Sequence, residues 1–187
     1  MITVLRHPPP LQKGLCAGRF ELPVEDPRRR AHTLATELRA YSLARIYSSP
    51  ASRCRVPALV LAEVLGLPLH IDGRLAELDF GEWEGRSWDD IVTQDQTRYE
   101  SWSHDWQRAS PPGGENIADL QQRVAAFVGT LPQEAVLLVT HAGPIRAMKV
   151  LLESLNWQAA MSESIPYWVP MVMQRVKCPP NSKHKRH

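Results

Sequence analysis

The chain has 187 residues, of which 43% are hydrophobic and 22% are charged, and it carries a formal net charge of +2. These values are typical of one compact globular domain whose core is stable without disulfides or metal ions. So small a net charge gives no reason to expect binding to nucleic acid. Because the chain lacks a long apolar run, we expect neither a signal peptide nor a membrane-spanning helix.

Three short apolar runs end abruptly in polar or turn residues, as buried β-strands do. They are Ile2 to Leu5, Arg45 to Tyr47 and Val136 to Val139. Helix-like stretches lie at about residues 27–41, 53–65, 117–130 and 144–155. The alternation of strands and helices predicts an α/β fold, namely a three-layer α/β/α domain with a mostly parallel central sheet.

The segment from about residue 81 to residue 116 is richer in tryptophan and acidic residues than the rest of the chain. Its tryptophans are Trp83, Trp88, Trp102 and Trp106. We interpret the segment as a helical insertion that partly covers the active site and supplies aromatic side chains for recognising a substrate. For any single tryptophan, packing within a small subcore is an equally good interpretation.

Residues 1–176 are expected to form a single domain. The basic tail at residues 177–187 is expected to be disordered, because it has nothing apolar to pack. The three cysteines, Cys16, Cys54 and Cys178, are odd in number, and no two of them form a C-x-x-C pair. This pattern supports neither a disulfide framework nor a zinc site, so we expect a cytoplasmic protein.

Residues suited to binding an anion follow each of the three predicted strands. Arg6 and His7 follow the first strand, Arg53 lies beyond the second, and His141 follows the third. By itself, a histidine after a strand is more often an ordinary loop residue. Because ligands bind at the carboxyl ends of parallel strands, two arginines and two histidines there together predict a phosphate pocket. Arginine grips phosphate oxygens in a bidentate way, and the helix after His141 directs free N–H groups to the same place.

Such a pocket can support phosphoryl transfer without a metal ion or another cofactor. A neutral imidazole can take the phosphoryl group covalently, while cations stabilise the transferring group. The leaving oxygen needs a proton, which a carboxylic acid beside the pocket can supply. The candidate is Glu77, whereas Asp79, Glu82 and Glu84 of the same run are expected to have structural roles. No cluster has the spacing of metal ligands, so we expect no metal site.

Four motifs in this chain resemble those of the histidine phosphatase superfamily, in its phosphoglycerate-mutase-like branch, and occur in that family's order. They are Arg6-His7, Ser48-Ser49-Pro50-x-x-Arg53, the acidic segment from Leu75 to Gly85, and His141-x-Gly143. The resemblance covers about residues 2–155. It also includes Gly113-Gly114-Glu115, which Asn116 follows in place of the usual Ser.

The resemblance implies a role for each candidate residue. His7 would be the phosphate acceptor, and Glu77 would be the general acid and later the base. Arg6, Arg53 and His141 would bind the phosphate, with His141 also taking part in catalysis.

One departure from the family lies directly after His7. Where the family continues Arg-His-Gly-x-Thr, this chain has Pro8-Pro9-Pro10, and the family's Asn a few residues later is missing. Because proline has no N–H, we expect the pocket to hold phosphate with fewer donors. The run from Gly14 to Arg19, followed by Leu22-Pro23, is similar to one branch of α-ribazole phosphatases, which act in cobalamin biosynthesis. Cys16 within that run is expected to be a packing residue.

The resemblance therefore implies a phosphomonoester hydrolase, in the first place an α-ribazole 5′-phosphate phosphatase. A phosphatase for another small phosphomonoester, such as a sugar phosphate, is the second hypothesis. A mutase fits less well, because it must shield its phosphorylated form from water. A catalytically silent phosphate-binding module is the third hypothesis, favoured by the three prolines alone. The expected partner is a small-molecule phosphomonoester, and a homodimer is compatible with the sequence.

Overall fold

The computed structural model describes residues 1–173, except for the side chain of Arg29. Its strands are β1 (Ile2–Arg6), β2 (Arg45–Ser48), β3 (Leu69–Ile71), β4 (Val136–Thr140) and β5 (Pro170–Met173). They form one sheet in the order β3-β2-β4-β1-β5. β1 to β4 pair in parallel, and β5 runs antiparallel to β1 at one edge. The prediction of a mostly parallel sheet is confirmed.

Helices connect the strands and fill the segment before β4. They are α1 (Arg28–Leu38), α2 (Ser52–Leu65), α3 (Trp88–Gln94), α4 (Gln96–His104), α5 (Ile117–Val128), α6 (Ala142–Glu153) and α7 (Trp157–Ser162). Short 3₁₀ turns occur at Arg39–Tyr41, Gly73–Leu75 and Gly81–Trp83.

The sheet has a hydrophobic core on each face, because successive side chains of a strand point to opposite sides. Leu5 and Leu137 belong to the core under α1 and α2. Val4 and Leu138 belong to the core under α5 and α6. Every residue of β4 is buried, as expected of a central parallel strand covered by helices on both sides. The three-layer α/β/α architecture is therefore confirmed.

The three predicted strands and four predicted helices all exist, with small shifts at their ends. α6 begins at Ala142 rather than at Pro144. Pro144 lies within the first turn, where a missing N–H breaks no helical hydrogen bond. β3 and β5 were not predicted, since both are short edge strands and β5 begins with a proline. The predicted disordered tail at residues 177–187 lies outside the described residues.

The tryptophan-rich segment contains α3 and α4, and its interior is an aromatic cluster. Trp83 is fully buried with Cys16 and Ile91, and Trp102 packs against this group. The Trp83 indole N–H donates to Asp95 at 2.8 Å. Trp83 therefore packs a subcore and does not face a substrate, which corrects one of the two interpretations for that residue. The expectation that Cys16 is a packing residue is confirmed.

Candidate active site

The carboxyl ends of β1, β2 and β4 meet at one edge of the sheet. The parallel register places Arg6 opposite Thr140 and Ser48 opposite Val139. Beyond the strand ends, the His7 amide donates to the Thr140 carbonyl at 3.0 Å. The pairing of three adjacent strands thus brings together residues that are far apart in the sequence, as predicted.

His7 is 6% exposed, and one of its ring nitrogens is already engaged. Nδ1 lies 2.7 Å from the carbonyl oxygen of Pro8. Because that oxygen can only accept, Nδ1 carries the proton and Nε2 keeps its lone pair. Proline lacks an N–H but retains its carbonyl, so the unusual Pro8 still orients the His7 ring.

Burial lowers the pKa of His7 to about 3, and the charges of Arg53 and Arg6 act in the same direction, while the hydrogen bond to Pro8 opposes them. The imidazole is therefore neutral near pH 7. A neutral ring with a free Nε2 is the form that can act as a nucleophile.

Arg6 and Arg53 are anchored by the protein, and each also has a free donor. Arg6 donates from Nη1 to the Ile165 carbonyl at 2.8 Å, and its guanidinium carbon lies 3.6 Å from the centre of the Tyr167 ring. Arg53 donates from Nη1 to the Phe20 carbonyl at 2.7 Å and from Nη2 to the Gly18 carbonyl. Among the described residues, the Nε atoms of both arginines are buried without a hydrogen-bond partner. Unsatisfied buried donors of this kind are suited to an anion.

His141 is fully buried and lies beside His7, with the two ring centroids 5.1 Å apart. Its Nε2 lies 2.8 Å from Ser49 Oγ and 3.4 Å from Cys54 Sγ. Burial lowers the pKa of His141 well below its usual value, aided by the charge of Arg53. His141 is not among the residues that line the cavity in front of His7. The structure thus places His141 against His7, with its Nε2 turned to Ser49.

Glu77 lies over the start of α6. Its Oε1 accepts hydrogen bonds from the Gly143 and Leu78 amides, both at 3.0 Å. A Cβ atom on Gly143 would lie 2.2 Å from Oε1, so the glycine of the His-x-Gly motif makes room for this carboxyl group. Burial raises the pKa of Glu77, although both hydrogen bonds and the nearby arginines oppose that rise. Glu77 is therefore held protonated to a higher pH than an ordinary carboxyl group.

The other acids of this run have structural partners, as expected. Asp79 pairs with Arg19 at 3.0 Å, and Glu82 pairs with Arg98 at 2.8 Å. Glu84 accepts from the Arg19 and Phe80 amides. None of the three lines the cavity in front of His7.

Arg123, which the sequence analysis did not single out, supports the loop that carries Glu77. Its guanidinium donates to the carbonyls of Arg74, Ala76 and Glu77 at 2.7 to 2.9 Å. Glu115 of the Gly-Gly-Glu element pairs with the same guanidinium. Asn116 caps α5 in a reciprocal capping box with Asp119, so Asn replaces Ser without loss of the cap. The Gly-Gly-Glu element thus holds Arg123 against the Glu77 loop through Glu115.

A cavity of about 390 Å³ opens in front of His7. Four predicted site residues line it: Arg6, His7, Arg53 and Glu77. Gln12, Lys13 and Tyr167 also line it, although no motif pointed to them. Lys13 adds a third cation and flexible N–H donors to a loop in which three prolines have none. Trp88 of the tryptophan-rich segment lines the same cavity, so the prediction that this segment partly covers the site is confirmed for that residue.

A second cavity of about 360 Å³ shares Glu77 with the first and contains Trp102 and Trp106 in its wall. No group of three or more His, Cys, Asp or Glu side chains within residues 1–173 is arranged to hold a metal ion. In that same range, no helix is both long and apolar enough to cross a membrane.

Comparisons with known proteins agree with this geometry. The family model of the histidine phosphatase superfamily (branch 1) matches residues 5–167. An adenosylcobalamin/alpha-ribazole phosphatase of Salmonella typhimurium is 34% identical over 135 residues, which are 70% of this chain and 67% of that protein. The corresponding protein of Escherichia coli is 32% identical over 70% of this chain and 66% of its own length. The chain thus spans about two thirds of the length of these curated relatives.

The solved structures give the same result over a larger share of the chain. The crystal structure of the alpha-ribazole phosphatase from Shigella flexneri has a TM-score of 0.82 and 26% identity, covering 90% of this chain and 87% of that one. The family and these neighbours are those of a phosphatase enzyme with a phosphoglycerate-mutase-like fold.

Proposed function

The chain belongs to the histidine phosphatase superfamily, and we propose that it hydrolyses a small phosphomonoester through a phosphohistidine intermediate on His7. The observation that carries this proposal is the free Nε2 of a neutral His7 in a cavity that also contains Arg6, Arg53 and Glu77. A nucleophile, two cations and a proton donor are the groups that such a reaction needs.

In the first step, the lone pair of His7 Nε2 attacks phosphorus, and the bond from phosphorus to the ester oxygen breaks. The leaving oxygen keeps that electron pair and takes the proton of Glu77. Arg6 and Arg53, which line the cavity, bind the equatorial oxygens, with Lys13 at the cavity wall as a further cation. His141, whose ring lies 5.1 Å from that of His7, is the predicted further residue for phosphate binding and catalysis, and this role requires its ring to turn from Ser49 toward the cavity.

In the second step, water attacks the phosphorus of the phosphohistidine. The nitrogen–phosphorus bond breaks, its electron pair returns to Nε2, and the Glu77 carboxylate takes a proton from the water. Glu77 can serve in both directions because it lines the cavity and its pKa is raised by burial. No metal ion or other cofactor is needed in either step.

We propose α-ribazole 5′-phosphate as the substrate, because two curated relatives and the Shigella flexneri structure carry that activity in their names. A phosphatase for another small phosphomonoester is the alternative. A protein named phosphoserine phosphatase 1 from Hydrogenobacter thermophilus is 30% identical over 65% of this chain and 59% of its own length, which favours keeping that alternative. The proposal includes a cytoplasmic location, in keeping with the buried free thiols of Cys16 and Cys54, and it allows a homodimer.

The test is phosphate release from α-ribazole 5′-phosphate beside phosphoserine and a panel of sugar phosphates. We expect the highest kcat/KM for α-ribazole 5′-phosphate, and we expect His7→Ala to lose turnover of every substrate while remaining folded. Comparable rates on several sugar phosphates would contradict α-ribazole 5′-phosphate as the substrate and would leave the phosphohistidine mechanism in place. Absence of turnover on the whole panel by the wild-type chain would instead support the silent phosphate-binding module.

A further inference from the structure

Residues 165–168, which lead into β5, contact Arg6 through three different groups. The Ile165 carbonyl accepts from Arg6 Nη1 at 2.8 Å, and the Arg6 guanidinium carbon lies 3.6 Å from the centre of the Tyr167 ring. The Trp168 amide donates to the Arg6 carbonyl at 2.9 Å. One short segment therefore holds both the backbone and the side chain of Arg6.

The Tyr167 ring restrains the Arg6 guanidinium without using its N–H donors. At so short a distance the guanidinium must stack on the face of the ring, because an edge-on nitrogen would overlap the ring. A guanidinium donates hydrogen bonds in its own plane, so stacking restricts its rotation and leaves the donors at its edge available to an anion. Since Arg6 and Tyr167 both line the cavity in front of His7, the stacked guanidinium is held at the wall of that cavity.

Tyr167 also contacts the nucleophile. Its ring centroid lies 5.5 Å from that of His7, at an interplanar angle of 59°. The His7 ring contacts that of His141 as well, and His7 is only 6% exposed. Tyr167 therefore contributes to the burial of His7 while it stacks on the cation that precedes His7 in the chain.

The backbone at Trp168 has an unusual conformation that places Tyr167 on Arg6. Trp168 has a φ of 60°, in the left-handed region that bulky residues seldom adopt. Tyr167 forms a parallel bridge with Arg6, whereas β5 pairs antiparallel with β1 from Pro170 opposite Leu5, so the chain changes direction between the two pairings. The Trp168 side chain is 2% exposed in the core under α1 and α2, which anchors this change of direction. Strained backbone of this kind persists where the surrounding structure imposes it, and it is common beside active sites.

We propose that Tyr167 is a positioning residue, whose ring holds the Arg6 guanidinium in place for phosphate and shields the His7 ring from water. It acts through Arg6 and His7 and takes no part itself in transferring the phosphoryl group. Its effect on turnover rests on the proposed function, whereas its effects on phosphate binding and on His7 do not.

The first test measures by calorimetry how the wild-type chain, Tyr167→Phe and Tyr167→Ala bind inorganic phosphate. We expect the Kd to rise about fivefold or more in Tyr167→Ala, because the guanidinium is no longer held by the ring. Tyr167→Phe keeps the ring and should stay within about twofold of the wild-type Kd. Tyr41→Ala is the matched control, since Tyr41 is also partly buried, packs against the core under α1 and α2, and lines neither cavity.

NMR titration of the His7 imidazole separates positioning from a merely structural role. Removal of the Tyr167 ring admits water to His7, so the pKa of His7 should rise above the value of about 3 that burial gives it. Tyr167→Phe and Tyr41→Ala should both leave this pKa as it is in the wild type. The other charged and titratable groups near His7 are the same in every variant, namely Arg6, Lys13, Arg53, Glu77 and His141.

Turnover gives a third readout, in which kcat/KM for an alkyl phosphate at neutral pH should fall about tenfold in Tyr167→Ala and recover in Tyr167→Phe. An unchanged phosphate Kd in Tyr167→Ala would overturn the positioning of Arg6, and an unchanged pKa of His7 would overturn the shielding of His7. Changes of equal size in Tyr41→Ala would also overturn the proposal, because that residue lies away from the site. Absence of turnover by the wild-type chain on every substrate would reject the proposed function, and the two binding and titration measurements would still decide the role of Tyr167.

Discussion

At the scale of single residues, the protonation states of His7 and Glu77 are complementary. His7 has a pKa lowered to about 3, whereas burial raises the pKa of Glu77. Neutral His7 and protonated Glu77 are therefore both the majority forms over a pH range that begins above about 3 and ends at the raised pKa of Glu77. Phosphorylation needs these two forms together, so it is favoured within this range.

The pH dependence of kcat/KM for an alkyl phosphate follows from these pKa values, because kcat/KM reports the ionisations of the free enzyme. Activity should fall at low pH as His7 takes up a proton, and it should fall on the alkaline side as Glu77 loses its proton. Steady-state rates at substrate concentrations well below KM, measured across the pH range, report both limbs. The control is Glu77→Gln with nitrophenyl phosphate, whose leaving group departs without a proton.

Glu77→Gln should lower kcat/KM on an alkyl phosphate by about 10²-fold or more, and should lower kcat/KM for the release of nitrophenolate much less, because kcat/KM does not include the later step in which Glu77 acts as a base. An equal loss on the two substrates would contradict a role for Glu77 as the proton donor.

Gly143 determines where the Glu77 carboxyl group can lie. Gly143→Ala would place a Cβ atom 2.2 Å from Oε1, so the carboxyl group must move and lose its bond from the Gly143 amide. We expect kcat on an alkyl phosphate to fall about tenfold or more, because general acid catalysis depends on hydrogen-bond geometry. Gly73→Ala is the control, since a Cβ there meets no atom within 4 Å. Wild-type kcat in Gly143→Ala would show that this position of the carboxyl group is not the catalytic one.

At the scale of elements, α5 carries the side chain that fixes the Glu77 loop. The guanidinium of Arg123 on α5 satisfies three carbonyls of residues 74–77 and pairs with Glu115, with only 16% of its side chain exposed. A lysine cannot reproduce this fork of donors. The position of α5 thus determines the position of the Glu77 loop through the Arg123 side chain.

Arg123→Lys should therefore lower both stability and turnover. Urea unfolding should show that the free energy of unfolding falls by about 2 kcal/mol, because partly buried carbonyls are left without donors. Arg98→Lys is the matched control, since Arg98 is 49% exposed and pairs with Glu82 and Asp95 at the surface. Losses of equal size in the two variants would mean that the Arg123 contacts add nothing beyond a surface ion pair.

The elements also mark what could be predicted from the sequence. The strands β1, β2 and β4 were predictable because each is an apolar run that ends at polar residues. Three site residues were predictable because they lie at or shortly after these strand ends: Arg6, His7 and Arg53. Arg123 was not, because an arginine within an amphipathic helix is typical of a solvated face until the tertiary contacts are known. Tyr167 contacts both Arg6 and His7, and it was not predictable. It pairs with Arg6 in an isolated β-bridge, and a single bridge leaves no periodic pattern in the sequence.

At the scale of the whole molecule, the parallel sheet gathers the site and the tryptophan-rich segment gives it an apolar wall. In the sheet, β1 lies between β4 and β5, and β2 lies on the far side of β4. Four segments that are distant in the sequence, namely β1, β2, β4 and β5, therefore come together near His7. This convergence was predictable from the polar residues that follow each strand. The second cavity, which shares Glu77 with the first, was not predicted, because its lining depends on which tryptophans turn inward.

The phosphohistidine on His7 is tested most directly by mixing the enzyme with labelled phosphomonoester in the presence of EDTA, quenching rapidly in alkali, and mapping the label by peptide mass spectrometry. We expect one phosphoryl group on Nε2 of His7, because Nδ1 is bonded to the Pro8 carbonyl, and we expect it to form and decay at least as fast as kcat. EDTA should have no effect. A label on another residue, or turnover that forms no labelled His7 under these conditions, would contradict the mechanism.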